Sequence, residues 1–292
     1  MFLPFYSIGQ VFQEIIGGYS GTIMDEGRSI QQTFDGGYIM TGRTALGVGG
    51  SCGFGACHDV YLVKTDGNGD VLWTKTYGGA GDDWGMSVDE TLDSGYIITG
   101  WTESFGAGQQ DVYLIKTDIN GDTMWTKTYG GVENDYAKSV EQTPDSGYVI
   151  VGATNSYGAG GICFLDPCHD VYVIKTNVLG DTLWTKTFGL VGVDIGEAGT
   201  RTVDGGYIIT GMAYGLGFGA YDVYLIKIDV NGNLVWAKLY GGSLNDWGYQ
   251  VRETDDKGFV IIGETESFGA GDRDLYLIRT DGVGSLMWSK TY

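Results

Sequence analysis

Every cysteine and every histidine of the 292-residue chain lies in one of two short loops. The first loop contains Cys52, Cys57 and His58, and the second contains Cys163, Cys168 and His169. Two thiols followed at once by an imidazole could form a disulfide, bind a metal ion or attach a haem covalently. The three chemistries imply different functions, so they are weighed separately.

Disulfides Cys52–Cys57 and Cys163–Cys168 are the favoured pairing, because the number of cysteines is even and each bridge would close a glycine-rich loop. Such bridges form in an oxidising compartment. A zinc site needs four ligands, and two thiolates with one imidazole lack the fourth within the loop. We therefore expect disulfides and no metal site.

A c-type haem is the alternative cofactor, since two cysteines followed by histidine are similar to its attachment motif. The chain offers only two histidines, so neither haem would find a second histidine beyond its own loop partner. The equivalent loops elsewhere in the chain place Gln110, Tyr221 and Arg273 at the position of His58. That position is variable, which favours the expectation that no cofactor is bound.

An internal repeat of 52 residues positions these loops. The block Asp-Val-Tyr-Leu-Ile-Lys-Thr-Asp at residues 111–118 recurs, with small changes, from Asp59, Asp170, Asp222 and Asp274. An acidic residue opens each of the five units, at Asp25, Asp83, Asp135, Asp194 and Asp246, with spacings of 58, 52, 59 and 52 residues. The insertions of 6 and 7 residues in units one and three contain the cysteine loops.

One unit predicts four strands. Residues 85–91 alternate between polar and apolar side chains, whereas residues 96–102 and 112–117 are almost continuously apolar, as expected of strands that are covered on both faces. The stretch from Asp118 to Asp122 contains Asn-Gly, which favours a tight hairpin turn into a fourth strand at residues 123–129. The two apolar strands are therefore central and the other two are at the edges.

A four-stranded antiparallel unit that repeats without helices is typical of an all-β propeller. We predict a single domain over residues 1–292 with five blades, at about residues 19–79, 80–131, 132–190, 191–242 and 243–292. Large aromatic residues at regular repeat positions are usually core residues. The tryptophan that starts the fourth strand of each unit is expected to pack between blades: Trp73, Trp125, Trp184, Trp236 and Trp288.

The N-terminal residues 9–18 align with residues 70–79, with Phe12 at the position of Trp73, and so predict a surplus fourth strand. Five blades could close with this strand lying over the last blade. A sixth, incomplete blade is the alternative, and pairing of the strand with another molecule is a third possibility. We favour five blades, because an open ring would expose an apolar blade face.

Charge and composition exclude several classes of function. The net charge of −20 repels nucleic-acid phosphates and anionic lipid, so neither is an expected partner. No apolar run reaches the 18 residues of a membrane span, and we expect no membrane insertion. The sequence offers no Ser-His-Asp arrangement and no phosphate-binding motif, which favours a protein that is not an enzyme.

One face of the predicted propeller collects the longer loops and the start of each innermost strand. Carboxylates and aromatic rings there would suit a sugar, since carboxylates accept hydroxyl protons and aromatic faces cover C–H groups. The candidate ligand-binding residues are Asp83, Trp84, Asp135, Tyr136, Asp246, Trp247, Phe105, Tyr157 and Phe268. Because the aspartate recurs in every unit, it is more simply explained as a cap for backbone amides.

The hairpin turns on the other face are rich in acidic residues, as at Asp66, Asn68 and Asp70. Such side chains satisfy the backbone amides of turns. Calcium would need six to eight oxygen ligands, more than a short hairpin can bring together. The turn role is therefore the expected one.

Three repeated blocks carry a resemblance to known proteins: Thr-Lys-Thr-Tyr-Gly-Gly at residues 74–79, Asp-Gly-Gly-Tyr-Ile-Ile at 204–209 and the block at 111–118. With these blocks the chain resembles uncharacterised secreted or surface repeat proteins of bacteria and archaea that are predicted to be β-propellers. The turn Asp-x-Asn-Gly-Asp-x-x-Trp is also similar to the tryptophan-docking turns of quinone-dependent dehydrogenases, although the adjacent cysteine pair of those enzymes is missing. The resemblance implies a propeller fold and an extracellular or cell-surface location.

The expected function is a non-enzymatic binding or adhesion module outside the cell, with a glycan or a surface protein as partner. One alternative is a structural subunit that self-associates through the surplus N-terminal strand. The other is electron transfer through haem c at the two cysteine loops. The sequence does not identify the ligand.

Overall fold

The computed structural model describes residues 25–45, 51–52, 55–158, 162–163, 166–215 and 219–292. The surplus strand predicted over residues 9–18 lies outside the described residues. Regular structure within these ranges is entirely β. The part of the chain that is described contains no helix long and apolar enough to cross a membrane.

Five four-stranded antiparallel sheets confirm the predicted five-blade β-propeller. Sheet 1 comprises Glu26–Gln32, Tyr38–Thr44, Asp59–Thr65 and Val71–Tyr77. Sheet 2 comprises Asp83–Glu90, Tyr96–Thr102, Asp111–Thr117 and Thr123–Tyr129. Sheet 3 comprises Asp135–Gln142, Tyr148–Thr154, Asp170–Thr176 and Thr182–Phe188. Sheet 4 comprises Asp194–Arg201, Tyr207–Tyr214, Tyr221–Ile228 and Leu234–Tyr240. Sheet 5 comprises Asp246–Glu253, Phe259–Thr265, Asp274–Thr280 and Leu286–Thr291.

The strands of each sheet pair in chain order, so the first strand forms the inner edge and the fourth forms the outer edge. All five first strands line one central channel, which contains a cavity of about 370 Å³. The two cysteine loops each add a two-stranded ribbon, Ser51–Cys52 with Gly55–Ala56 and Ile162–Cys163 with Asp166–Pro167. The loops from strand two to three and from strand four to the next sheet therefore share one face of the propeller, which we call the loop face.

Four apolar clusters fill the spaces between consecutive sheets. Between sheets 1 and 2, for example, Ile39 and Leu62 of sheet 1 pack with Tyr96 and Ile98 of sheet 2, and all four side chains are buried. Burial of such side chains contributes about 1.5–3 kcal/mol each. The second and third strands supply most of these residues, as their continuous apolar pattern predicts.

Four of the five predicted inter-blade tryptophans pack against the next sheet. Trp73 contacts the turn glycine Gly121 of sheet 2, and a Cβ atom added at Gly121 would lie 2.8 Å from the Trp73 ring. The same contact joins Trp125 to Gly180, Trp184 to Gly232 and Trp236 to Gly284. These four glycines also have φ angles of 75 to 76°, which other residues rarely adopt.

Trp288 of sheet 5 differs from the prediction. It is 40% exposed, and the equivalent turn glycine of sheet 1, Gly69, has no atom within 4 Å of an added Cβ. Sheet 5 is followed by no described sheet that packs on it as sheets 2 to 5 pack on their predecessors. The regular spacing predicted a tryptophan that packs between blades, but the described residues contain no following sheet for Trp288 to contact.

A buried lysine of the third strand fixes the first hairpin turn in four sheets. Lys116 is 3% exposed, and its Nζ donates to Asp93 Oδ1 at 3.0 Å and to the carbonyl oxygen of Thr117 at 2.7 Å. The equivalent pairs are Lys64–Asp35, Lys175–Asp145 and Lys227–Asp204. The turn aspartates of the repeated Asp-Gly-Gly and Asp-Ser-Gly blocks therefore have a structural role.

Candidate functional site

The aspartates that open the innermost strands are among the predicted ligand-binding residues, and the structure buries them. Asp83, Asp135 and Asp246 are 0% exposed. Asp135 accepts hydrogen bonds from Gly131 N at 2.8 Å, from Ser156 Oγ at 2.6 Å and from the Thr154 hydroxyl. These contacts fix the two loops on either side of the strand, as the amide-cap explanation predicts.

A second buried aspartate, from the third strand of the preceding sheet, faces each of these groups across a glycine. A Cβ atom added at Gly189 would lie 1.5 Å from Asp170 Oδ1 and 3.0 Å from Asp194 Oδ2. Burial, together with the charge of Asp170, raises the pKa of Asp194 to about 6. The same arrangement surrounds Gly78, Gly130 and Gly241. Because the pair of aspartates recurs at four junctions, it has a structural role rather than that of a catalytic pair of carboxylates.

The residue after the opening aspartate differs between sheets, and in sheet 2 it forms an aromatic and cationic cluster. The Trp84 ring stacks on Trp101 with centroids 5.0 Å apart. The Arg43 guanidinium lies 3.6 Å from the Trp84 ring centroid, within cation–π range, and Arg28 lies at 5.5 Å. His58 approaches the same ring at 6.4 Å. Residues of sheets 1 and 2 thus enclose Trp84, and we call this group the Trp84 cluster.

Two buried donors of the Trp84 cluster have no acceptor within the described residues. They are the indole Nε1 of Trp84 and the guanidinium Nε of Arg43. Glu26 pairs with the other end of Arg43 at 2.9 Å and with Arg28 at 2.7 Å. Buried donors without acceptors cost about 1–3 kcal/mol each, so an oxygen acceptor that reaches these two nitrogen atoms would stabilise this cluster.

Sequence reasoning identified Trp84 but missed Arg28, Arg43 and Trp101. Trp101 is the cross-strand partner of Trp84 in the register of sheet 2, so the repeat alignment contained a signal for it. Arg43 occupies the equivalent position of sheet 1, opposite Glu26. The contact between Arg43 and Trp84 crosses from one sheet to the next, and only the packing of the sheets reveals it.

The other two predicted aromatics of this ring also lie beside a cation. Tyr136 packs against His169 at 5.4 Å and Lys138 at 5.6 Å, and burial raises its pKa. Trp247 stacks on Tyr221 at 6.4 Å and lies 5.0 Å from Arg273. The three aromatic residues that follow an opening aspartate therefore have different neighbours.

The loop aromatics Phe105, Tyr157 and Phe268 form the outer part of the loop face. They are 45%, 51% and 43% exposed. Each packs on the third-strand tyrosine of its own sheet with centroids 5.7 to 5.8 Å apart. The hydroxyl of Tyr157 donates to the carbonyl oxygen of Gly130 at 2.5 Å, so this side chain also has a structural role.

Below the loop face, the channel wall contains residues that break the repeat. One position of the first strand is filled by Arg28, Met86, Lys138, Glu197 and Tyr249. Another is filled by Gln31, Asp89, Glu141, Thr200 and Arg252. Burial raises the pKa of Glu197, whose carboxylate lies 3.8 Å from Lys138 Nζ. Residues that vary in an otherwise regular repeat are candidates for a specific role.

The cysteine loops belong to the loop face, and their chemistry stays a prediction. Cys57 and Cys168 are buried, whereas the side chains of Cys52 and Cys163 lie outside the described part of the chain. The Nδ1 atom of His58 lies 3.0 Å from Asp82 Oδ1, which also accepts the backbone N–H of His58.

The acidic hairpin turns have the contacts expected of turn residues. Asp66 Oδ1 accepts the backbone N–H groups of Asn68 at 2.8 Å and Asp70 at 3.0 Å, and these hydrogen bonds lower the pKa of Asp66. Among the described residues, no group of three or more histidine, cysteine, aspartate or glutamate side chains is arranged to hold a metal ion.

Comparison with known proteins gives weak similarities. No family model matches the chain. The chain is 24% identical over 227 residues to the regulatory protein FlaEY of Caulobacter vibrioides, covering 70% of this chain and 23% of that protein. Among solved structures, Sqt1 from Chaetomium thermophilum has 11% identity and a TM-score of 0.45 over 91% of this chain and 71% of its own. A hypothetical protein from Leishmania major has 12% identity and a TM-score of 0.40 over 96% and 94%. The chain spans about a quarter of the length of the curated relative that it matches.

Proposed function

We propose that this protein is a non-enzymatic binding module that holds a glycan or a surface protein on its loop face, outside the cell. The observation that carries the proposal is the pair of buried, unpaired donors in the Trp84 cluster, Trp84 Nε1 and Arg43 Nε. They lie at a position where the five sheets differ, between half-exposed aromatic rings. An architectural residue would be expected to recur from sheet to sheet with its hydrogen bonds complete.

A glycan is the preferred ligand class because it supplies what the site lacks. Sugar hydroxyl and ring oxygens would accept from the two unpaired donors, and the C–H face of a sugar would cover an indole ring. Glu26 pairs with both Arg28 and Arg43 and balances one of their two positive charges, which reduces the demand of the cluster for an anionic ligand. Trp247 and Tyr136 extend the same chemistry around the channel mouth.

The extracellular location rests on the predicted disulfides and on the resemblance to secreted repeat proteins. The name of the FlaEY relative describes a regulatory protein, and binding of a protein partner on the same face would suit such a role. The alternative of haem-based electron transfer is distinguished by a visible spectrum of native protein, because attached haem produces a Soret band. Intact mass before and after reduction separates attached haem from disulfides.

The test is binding of the purified protein to a glycan array and to cell-surface extract. We expect the double variant Trp84→Ala with Trp247→Ala to lose at least tenfold in affinity, since each aromatic anchor typically contributes 2 kcal/mol or more, or about 30-fold. The matched control is Leu92→Ala on the opposite face, where the side chain is 69% exposed. Wild-type protein that binds no polysaccharide and no extract component would contradict the proposal.

A further inference from the structure

The cavity of about 370 Å³ in the central channel is lined by the first strands of all five sheets, and we call it the channel cavity. Ligand pockets usually have volumes of about 300–1,000 Å³, so the channel cavity has room for a small molecule. Its lining includes hydroxyl, amide, carboxylate and guanidinium side chains. A cavity of this size and polarity suits a small polar ligand.

Part of the cavity wall consists of residues that join neighbouring first strands. Ser87 Oγ of sheet 2 accepts the N–H of Val140 of sheet 3 at 3.3 Å, and the equivalent serines of sheets 1 and 3 make the same bond. The pattern ends at sheet 4, where Ala198 has no hydroxyl group, and sheet 5 has Gln250 at this position. The wall at sheets 4 and 5 therefore departs from the structural role of the serines.

Sheets 2 and 3 each place one carboxylate at the cavity, Asp89 and Glu141. Asp89 accepts hydrogen bonds from Gln31 Nε2 at 2.7 Å and from the N–H of Gln142 at 3.1 Å. Glu141 accepts a long hydrogen bond of 3.4 Å from the N–H of Arg201. An ionised carboxylate can accept about four hydrogen bonds, so both groups can also receive a cationic donor from a ligand.

Arg252 of sheet 5 brings the opposite charge to the same cavity. Its side chain is exposed and forms no ion pair with any residue that the structure describes. Burial raises the pKa of Asp89, and the charge of Arg252 is one of the effects that oppose this rise. The guanidinium therefore acts on Asp89 electrostatically, although the two groups are not in contact. Opposite charges held apart beside one cavity can be bridged by a ligand that carries both.

We propose that the channel cavity binds a free basic amino acid, of the lysine and arginine class. The α-carboxylate of the ligand pairs with Arg252, because the planar guanidinium fits a carboxylate with two parallel hydrogen bonds. The α-ammonium group and the side-chain cation pair with Asp89 and Glu141. The ligand then has one negative and two positive groups, which match one positive and two negative groups of the protein.

Charge matching favours this class over other small molecules. A neutral sugar would leave Arg252 and both carboxylates without a charged partner. An acidic amino acid would bring a second carboxylate toward Asp89 and Glu141, where like charges repel. The site is also separate from the Trp84 cluster, since Asp89 lies five residues beyond Trp84, or roughly 17 Å along the extended strand. The two sites can therefore be tested independently.

The experiment is isothermal titration calorimetry of the full chain with L-lysine, L-lysinamide, Nα-acetyl-L-lysine and L-glutamate. We expect saturable binding of L-lysine. The amide lacks the carboxylate and the acetyl derivative lacks the α-ammonium, so each should bind at least about tenfold more weakly. Arg252→Gln should weaken L-lysine binding by a similar factor but leave the affinity for L-lysinamide nearly unchanged.

A matched control removes one positive charge from the same sheet without touching the cavity. Lys290→Gln, on the exposed outer strand of sheet 5, should bind L-lysine as the wild type does. Glu141→Gln keeps an oxygen acceptor for the N–H of Arg201 and should weaken binding of L-lysine more than that of Nα-acetyl-L-lysine or of L-glutamate. These differences separate loss of a ligand contact from a general change in the fold.

Three results would overturn the proposal. The first is the absence of saturable heat with L-lysine at millimolar concentration. The second is equal affinity of the wild type for L-lysine and L-lysinamide, which would show that no group of the protein recognises the carboxylate. The third is tighter binding of L-glutamate than of L-lysine. All three comparisons use the wild-type protein, so they decide the question even where a variant fails to fold.

Discussion

Trp73 of sheet 1 lies against the turn glycine Gly121 of sheet 2, so close that a Cβ atom on Gly121 would be 2.8 Å from the ring. The Tyr77 hydroxyl donates to the carbonyl oxygen of the same glycine at 2.7 Å. One glycine therefore receives both the ring packing and the hydrogen bond of the preceding sheet. The ring packing recurs at Gly180, Gly232 and Gly284, and the hydroxyl bond recurs at Gly180 and Gly284, whereas Phe188 has no hydroxyl to donate to Gly232.

Gly121→Ala should destabilise the protein by about 3 kcal/mol, from a left-handed backbone position and from overlap with Trp73. Gly69→Ala is the matched control, because Gly69 also has a positive φ but no neighbour within 4 Å. It should cost only about 1 kcal/mol, the backbone share alone. Urea unfolding of both variants measures the difference, and equal losses would refute the close contact.

Trp73→Ala should cost about 3–5 kcal/mol, as expected for a large aromatic side chain removed from a packed interface. Trp288→Ala should cost less than about 1 kcal/mol, because a side chain that is 40% exposed has few contacts to lose. Chemical denaturation of the two variants tests the asymmetry between the sheets. Similar losses would show that Trp288 is covered in solution.

Acidity should affect the fold in two separate windows. The pKa of Asp194 is raised to about 6 by burial, so the native state holds a proton that the unfolded state releases near pH 4. Stability from this group is therefore present at low pH and declines as pH rises from about 4 through 6. Asp194→Asn should flatten the decline in melting temperature over this range, and an unchanged slope would contradict the assignment.

The turn aspartates act in the opposite direction. Hydrogen bonds from Thr33, Gly37 and Lys64 lower the pKa of Asp35 to about 2. Burial opposes the shift at Asp204, but hydrogen bonds from Thr202 and Lys227 outweigh it and lower the pKa to about 2. Their stabilising contribution is complete above pH 4 and lost as pH falls toward 2. The melting temperature of Asp35→Asn should therefore fall less between pH 4 and pH 2 than that of the wild type. Equal falls in both proteins would contradict the role given to Asp35.

The junction between sheets 3 and 4 lacks one hydrogen bond that other junctions have, because Pro144 stands at the position of its donor. At the same turn position, Leu92 N donates to Gln142 Oε1 and Val203 N donates to Glu253 Oε2, each at 2.7 Å. Proline has no N–H to donate, and the next sheet has Arg201 where the others have an acceptor. Pro144→Leu with Arg201→Glu should recreate the contact, with a coupling of about 0.5–1.5 kcal/mol in a double-mutant cycle. A coupling near zero would show that the contact does not form.

The repeat was sufficient to predict the blades, because strand pattern and spacing depend on local sequence. Trp73 and Trp236 were placed correctly for the same reason, since each has a following unit to contact. Trp288 has the same sequence context without that neighbour, and a repeat alignment cannot distinguish the two. The sequence repeat therefore predicts the structure within each unit but not the contacts between units.

The candidate site was harder to predict than the fold. Asp83 and its equivalents were recognised as repeated, but their complete burial depends on the glycines and hydroxyl groups of two adjacent loops. Arg43 was missed because its contact with Trp84 joins different sheets. Sequence periodicity identifies what the units share, whereas the proposed ligand site consists of positions at which they differ.

Footprinting of the complex tests the central proposal most directly. The protein, bound to the tightest ligand from the glycan array or the surface extract, would be exposed to hydroxyl radicals and compared with unbound protein. We expect protection of Trp84, Trp101 and Trp247 on the loop face, with unchanged labelling of Phe34 and Leu92 on the opposite face. Protection of Phe34 and Leu92, with the three tryptophans labelled as before, would contradict the proposed site.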